Sequence, residues 1–383
     1  MNDTNNNKPS RPRWKNLLFN IIALCIGLII FGILGEIITR IIYSKGIPEV
    51  LPAMFMNEKV TGYRLKPNFT GAHTHRDFRV IYSMDSLGYR DYDHPLHKPA
   101  GTFRILVLGD SFTFGVGVPM EDTYPKVLEK MLNAHKSSIR YEVINTGVPG
   151  YNTDQEYYYF VKEGISLEPD LVIVGFFGMN DVDGVEFGWQ NFSTQNGYLV
   201  KVPPLKLHIP EMKGFLLTHS TLARITYYNL SKLADAYHRH GKPRELPMQI
   251  YHDNYTDSFA KALTKTEQYL LDMKKMSVSH KAKFILLLIP FEMEVNKKNW
   301  VKYLLEDTYS DKVYNQNLLK PSRLFSQFGK DKDISTLDLV PIFRTDHPET
   351  CYFTWEPHWN RNGHLLAAKS IYSYLKENRM IPD

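Results

Sequence analysis

Four residues of this chain have the side chains or backbone that acyl transfer requires, and each follows an apolar run. Ser111 closes the stretch Phe103-Arg104-Ile105-Leu106-Val107-Leu108-Gly109-Asp110, and Gly150 ends the loop after Tyr141–Ile144. Asn180 follows Leu171–Phe177 and Gly178-Met179, and His358 stands between Leu337–Ile342 and the final amphipathic stretch, Gly363–Glu377. A serine hydroxyl is a weak nucleophile until a base takes its proton. Imidazole titrates in the right range to do so near neutral pH. The oxyanion of a tetrahedral intermediate needs preorganised donors, and the N–H groups of Ser111 and Gly150 with the Asn180 amide are three candidates. Glu356, two residues before His358, is the candidate acid that orients the imidazole. Asp346, beside His347-Pro348, competes for that part.

Singly, each piece has a plainer explanation. Gly-Asp-Ser after a strand is a turn with a helix cap, Asn180-Asp181 is a cap, Gly147 and Gly150 around Pro149 make a loop, and a histidine beside Trp359 is structural. The weight comes from order and placement. Continuous apolar runs alternating with amphipathic stretches predict parallel strands covered by helices on both faces. Strands are expected at Phe103–Leu108, Tyr141–Ile144, Leu171–Phe177, Phe284–Pro290 and Leu337–Ile342, with helices at Pro125–His135, Thr153–Gly164, Asp257–Lys275 and Gly363–Glu377. Ligands of such sheets bind at the carboxyl ends of the strands. All four residues fall on that rim.

These blocks resemble the SGNH/GDSL hydrolase family: Gly109-Asp110-Ser111-Phe112, Gly150, Gly178-Met179-Asn180-Asp181, and His358-Trp359-Asn360 with Gly363. The resemblance runs from about Phe103 to the end, and includes the lead-in Ser86-Leu87-Gly88-Tyr89-Arg90-Asp91, which membrane-anchored members share. It implies a three-layer flavodoxin-like fold, a Ser–His–acid site, and an oxyanion hole shared by Ser111, Gly150 and Asn180. The family includes esterases, lipases, carbohydrate O-acetyl esterases and O-acetyltransferases of envelope polysaccharides. One departure matters: the family usually has an aspartate two or three residues before the histidine, where this chain has Glu356 and Trp355. Asp346 lacks the Trp-Asn and glycine that follow His358.

Upstream, residues 1–15 read as a cytoplasmic tail, 16–43 as a transmembrane helix, 44–100 as a β-rich lead-in with a strand at Phe78–Tyr82, and 101–383 as the catalytic domain. Residues 182–253 read as an insertion or lid, helical near Leu222–His238. The apolar stretch from Leu17 to Gly35, extended through Ile42, is long enough to cross about 30 Å of hydrocarbon. A cleaved signal peptide has a shorter apolar region and a small-residue cleavage site, which do not stand out here. Bases before the span place the N-terminus in the cytoplasm and the catalytic domain outside it. Glu36 and Arg40, one turn apart, are expected to pair.

Charge narrows the partners. Lys8, Arg11, Arg13 and Lys15 against Asp3 account for +3 of the net +5, so the body is near neutral and shows no nucleic-acid footprint. The two cysteines, Cys25 and Cys351, have no metal spacing and fall in different compartments. Gly109–Gly117 lacks the Gly-Lys-Ser/Thr ending of a phosphate loop, and Asp110 and Asp181 are more simply supports than metal ligands. No cofactor or metal is called for. The chemistry expected is cleavage of an O-acyl ester on an envelope carbohydrate or lipid through an acyl-serine. Transfer of the acyl group to an envelope glycan, and a silent glycan-binding module, are the alternatives. Trp355 and Trp359, flanking the histidine, are the aromatic candidates for substrate contact.

Overall fold

The computed structural model describes residues 13–42, 51–134, 138–187, 192–195, 197–201, 216, 220–223, 225–227, 229–230, 249–296, 318–345 and 348–382. The chain divides into two compact units, one made of residues 1–47 with 209–240 and the other of 48–208 with 241–383.

In the first unit, α1 (Arg13–Ile42) holds Leu17–Ile42, which is long and apolar enough to cross a membrane by length and composition; a signal sequence meets the same test. Its large apolar side chains are exposed all round, the pattern of a helix that calls for an apolar surrounding. Arg40 pairs with Glu36 at 2.6 Å, as the one-turn spacing predicts. Glu36 also accepts hydrogen bonds from Ser220 Oγ and from the N–H groups of Thr221 and Leu222.

The second unit begins with two antiparallel hairpins, β1 (Phe55–Glu58) with β2 (Gly62–Leu65) and β3 (Thr70–Thr74) with β4 (Arg79–Ser83). The α/β body follows as β5 (Thr102–Gly109), α2 (Ser111–Phe114), α3 (Tyr124–Leu132), β6 (Arg140–Asn145), α4 (Thr153–Lys162), β7 (Leu171–Phe176) and α5 (Gly178–Phe187). A hairpin of β8 (Phe192–Gln195) and β9 (Tyr198–Lys201) comes next. The chain ends with α6 (Asp257–Ser279), β10 (Lys283–Leu288), α7 (Glu292–Val295), α8 (Lys320–Asp331), β11 (Ser335–Asp338), α9 (Val340–Thr345) and α10 (Arg361–Glu377).

Five strands form one parallel sheet in the order β11-β10-β7-β5-β6. Numbered by appearance this is the flavodoxin-like order 2-1-3-4-5, whose direction reverses between β5 and β7. The strands read as unbroken apolar runs because both faces are buried. Leu106, Leu108, Val172, Val174 and Leu286 face the core shared with α4, α6 and α8. Ile105, Val107, Ile173, Ile285 and Leu287 face the opposite core, shared with α3 and α10.

Two readings change. The last strand stops at Asp338, and the rest of the expected Leu337–Ile342 strand is the start of α9. Asp338 Oδ1 accepts Val340 N–H, and Pro341 sits in the first turn, where a missing N–H costs nothing. Periodicity cannot separate a short apolar strand from a short buried helix. The helix α8 has no counterpart among the expected elements, although Pro321 at its start and Phe325 with Phe328 on one face mark it. In the expected insertion, Val182 to Phe187 belong to α5 and β8–β9 form a hairpin; most of Leu222–His238 lies outside the described residues.

The lead-in is tied into the body by Arg90. Its guanidinium is fully buried, donates to the carbonyls of Phe114, Gly115 and Val118, and lies over the rings of Tyr82 and Phe114. Burial pulls its pKa down to about 10, so it stays charged at neutral pH. Each buried carbonyl left without a donor costs roughly 1–3 kcal/mol. Arg90→Met is therefore expected to lower the unfolding free energy by about 3 kcal/mol or more, read from the urea midpoint. An unchanged midpoint would mean that those carbonyls find other partners.

Candidate active site

The turn after β5 sets Ser111 at the first position of α2. Asp110 Oδ1 accepts Phe112 N–H and caps this short helix, while the Ser111 side chain stays partly exposed. Gly109 is needed where it stands: a Cβ there would collide with Thr113 Oγ1. Asp110 itself is fully buried, and burial pushes its carboxyl up to about 6 against the pull of Phe112 N–H, His358 and Asn180.

His358 arrives from the loop before α10. The Asn360 side chain caps that helix through Asn362 N–H and Gly363 N–H, and its amide donates to the carbonyls of Thr350 and Tyr352. Trp359 drives the loop down. It is fully buried among Phe112, Tyr124 and Phe343, which removes it as a substrate contact and makes it the loop's packing anchor. Trp355 is exposed, with the Arg76 guanidinium over its ring.

With the loop so held, His358 Nε2 lies 2.7 Å from Ser111 Oγ and Nδ1 lies 2.6 Å from Glu356 Oε1. In the tautomer that donates Nδ1–H to Glu356, Nε2 accepts the serine hydroxyl. Burial works against the Glu356 charge, but the hydrogen bond from His358 and the imidazoles of His358, His75 and His73 outweigh it and hold the carboxyl below its ordinary range. The competing Asp346 lies outside the described residues.

Gly150 and Asn180 reach the same rim. Gly150 is exposed with φ +80°, where a side chain would be strained, and a Cβ would approach Tyr63 Oη at 2.9 Å. Asn180 Nδ2 donates to Asp110 Oδ2 at 2.9 Å and to the Tyr151 carbonyl at 3.2 Å. The two acids weighed as a metal pair are both occupied with backbone N–H groups, Asp110 with Phe112 and Asp181 with Phe177. Sequence reasoning missed the support of this loop by the lead-in. Tyr63 Oη donates to Pro149 O, Tyr151 Oη to Tyr63 O, and Gln155 to Thr61 O. These contacts span 86 to 94 residues, and no local pattern announces them.

A model of the GDSL-like lipase/acylhydrolase family matches residues 107–322, more than half of the chain, and the chain belongs to that family. Ser111, Gly150 and Asn180 fall inside the match, and Glu356 and His358 follow it. Among solved structures, the chain is similar to the acetyl xylan esterase AlAXEase at 15% identity and a TM-score of 0.40, over 71% of this chain and 98% of that one. A catalytic mutant of Axe2, an acetylxylan esterase from Geobacillus stearothermophilus, matches at 15% identity and 0.40 over 71% and 94%. LAE5, an alpha/beta hydrolase enzyme from the metagenome of Lake Arreo, Spain, matches at 16% and 0.40 over 75% and 99%. A search of curated protein sequences finds no match. By its family, the protein is an SGNH/GDSL-type ester hydrolase.

Beneath the rim lie two further fully buried carboxyls, Glu156 and Asp181. Burial pushes both well above the carboxylate range, helped by the charges of Asp181, Asp110 and Asp154 at Glu156 and by those of Asp110 and Asp154 at Asp181. The unfolded chain ionises Glu156 near 4.5. Above that pH the folded state binds more protons than the unfolded state, so this contribution lowers stability as pH rises. Glu156→Gln removes one such group. Its thermal midpoint is expected to exceed that of the wild type at about pH 8 and to approach it at about pH 5. A difference that grows toward acid would show that Glu156 is ionised when folded.

Proposed function

We propose that this chain cleaves O-acyl esters of envelope carbohydrates through an acyl-Ser111 intermediate, with His358 as base and Glu356 as the orienting acid. The observation that carries the reading is the hydrogen-bonded chain Glu356–His358–Ser111, 2.6 and 2.7 Å long, at the sheet's switch point. Ser111 Oγ attacks the ester carbonyl carbon as its proton passes to His358 Nε2. The oxyanion is met by the N–H groups of Ser111 and Gly150 and by Asn180 Nδ2, which exchanges its longer bond to the Tyr151 carbonyl for the new acceptor. Collapse expels the alcohol with the proton from His358. Water then attacks the acyl-serine, His358 takes and returns a second proton, and the carboxylic acid leaves. A glycan hydroxyl in place of that water makes the same site a transferase. The exposed ring of Trp355 beside Glu356 supports a carbohydrate substrate, since an aromatic face suits the apolar face of a sugar.

Ser111→Ala is expected to abolish hydrolysis of an aryl acetate with its thermal midpoint unchanged, and Asn180→Ala to lower kcat by on the order of 10²–10³. Trp355→Ala should raise KM for acetylated oligosaccharides and spare the aryl acetate. Turnover that survives in Ser111→Ala removes the acyl-serine. Equal effects of Trp355→Ala on both substrates remove the sugar contact.

We further infer that α1 stays attached as an anchor, with the N-terminal tail in the cytoplasm and the catalytic unit on the other side. The basic residues before Leu17 and the length of the apolar span support this. A reporter fused after Asp383 is expected to be active outside the cytoplasm, in the membrane fraction. A shortened, freely soluble product would identify a cleaved signal instead.

A further inference from the structure

The acid of the site is a glutamate, which has one more rotatable bond than an aspartate and sits on a loop. Nothing covalent or helical fixes it. Phe353 N–H to His358 O closes the loop, but this bond leaves the backbone at Trp355 and Glu356 without a partner inside it. That partner comes from the other end of the second unit. In the turn between β3 and β4, Asp77 Oδ2 accepts Trp355 N–H at 2.7 Å and Glu356 N–H at 3.0 Å. Two successive N–H groups converging on one carboxylate oxygen set the local backbone, and so the direction in which the Glu356 side chain leaves it.

The same turn addresses the side chain. Glu356 Oε1 is taken by His358, and its second oxygen, Oε2, lies 3.8 Å from His75 Nε2. Asp77 N–H donates to His75 Nδ1 at 3.3 Å, which leaves Nε2 as the ring nitrogen that faces Glu356. His75 Nδ1 is also 3.7 Å from Asp77 Oδ2, and its side chain is only 5% exposed. The ring stacks on Phe78 at 5.1 Å, and Phe78 packs on Phe353 of the acid's loop at 5.0 Å. One turn therefore binds the backbone, lies against the carboxylate and packs under the loop.

We propose that His75 and Asp77 are positioning residues for Glu356, so that the β3–β4 turn is part of the catalytic machinery. Asp77 fixes the loop's backbone, and His75, 3.8 Å from the second carboxylate oxygen, limits where that carboxylate can turn, leaving Oε1 aimed at His358. The proposal rests on the reading of Glu356 as the acid that orients His358. Catalytic groups must be held within about 0.5 Å of their working geometry by such outer contacts, and small misplacements cost up to about 10²-fold in rate.

The test is a double-mutant cycle on aryl acetate hydrolysis, in the full chain. Asp77→Ala is expected to lower kcat by about 10–100-fold with KM nearly unchanged, and Asp77→Asn, which keeps an acceptor oxygen, to recover much of it. His75→Gln should give a smaller loss of the same kind, and it serves if Asp77→Ala does not fold. In a Glu356→Gln background both changes should have little further effect, because residues that act through one group are not additive. If the wild type turns over, Ser111→Ala does not, and both Asp77→Ala and His75→Gln keep wild-type kcat, the positioning role is wrong and the proposed reaction stands. Losses of the same size in the Glu356→Gln background also overturn it, because the turn then acts elsewhere. A wild type that neither hydrolyses esters nor depends on Ser111 removes the reaction, and this proposal with it.

Discussion

The hydrogen bond between Ser111 Oγ and His358 Nε2 joins residues 247 positions apart at 2.7 Å, and the rest of the second unit can be understood as what makes that contact possible. A parallel sheet solves most of the problem. Every strand of the sheet ends on the same edge, so the turn after β5, the loop after β7 and the chain leading into α10 meet on one rim. The reversal of strand order between β5 and β7 opens the crevice at that edge. What the sheet does not supply is the orientation of individual side chains, and here the loops depend on buried polar contacts. Asp110 caps the serine's helix and also receives the Asn180 amide, tying two parts of the rim to one carboxylate.

The polar interior has a cost that the fold carries elsewhere. Asp110, Glu156 and Asp181 are all fully buried close to the rim, and burial raises the pKa of each. Neutral carboxyls are far less expensive to bury than charged ones. Glu356 is held in the opposite direction, below its ordinary range, by its imidazole neighbours. Two kinds of carboxyl thus lie at one site: buried ones whose pKa is raised, and one at the rim, beside His358, whose pKa is lowered. The lead-in contributes to both. Arg90 braces the segment after Ser111, while Tyr63 and Thr61 brace the Gly150 loop.

Much of this was legible in the sequence because the chemistry falls where local patterns change. Ser111, Gly150 and Asn180 each lie within five residues of the end of an apolar strand, so period and punctuation suffice to put them on the rim. His358 is legible through Asn360 and Gly363, which mark the start of α10. The errors have physical sources. Leu337–Ile342 is apolar but for Asp338, and the capping by that residue decides where strand gives way to helix. Trp355 and Trp359 both flank the histidine in sequence, but the bends between them send Trp359 into the core and leave Trp355 in solvent, which sequence proximity does not reveal. The lead-in's contacts were invisible because they depend on tertiary placement: nothing in His75-Arg76-Asp77 points to a loop more than 250 residues away.

The central claim is that an acyl group passes through Ser111, and the most direct measurement is rapid-quench mass spectrometry of the wild-type protein during turnover of an O-acetyl ester. The account predicts a transient acetyl group on the peptide containing Ser111, formed no slower than the alcohol is released and lost as acetate appears. Steady turnover with no acetyl group on that peptide, or with the group on another residue, would contradict it.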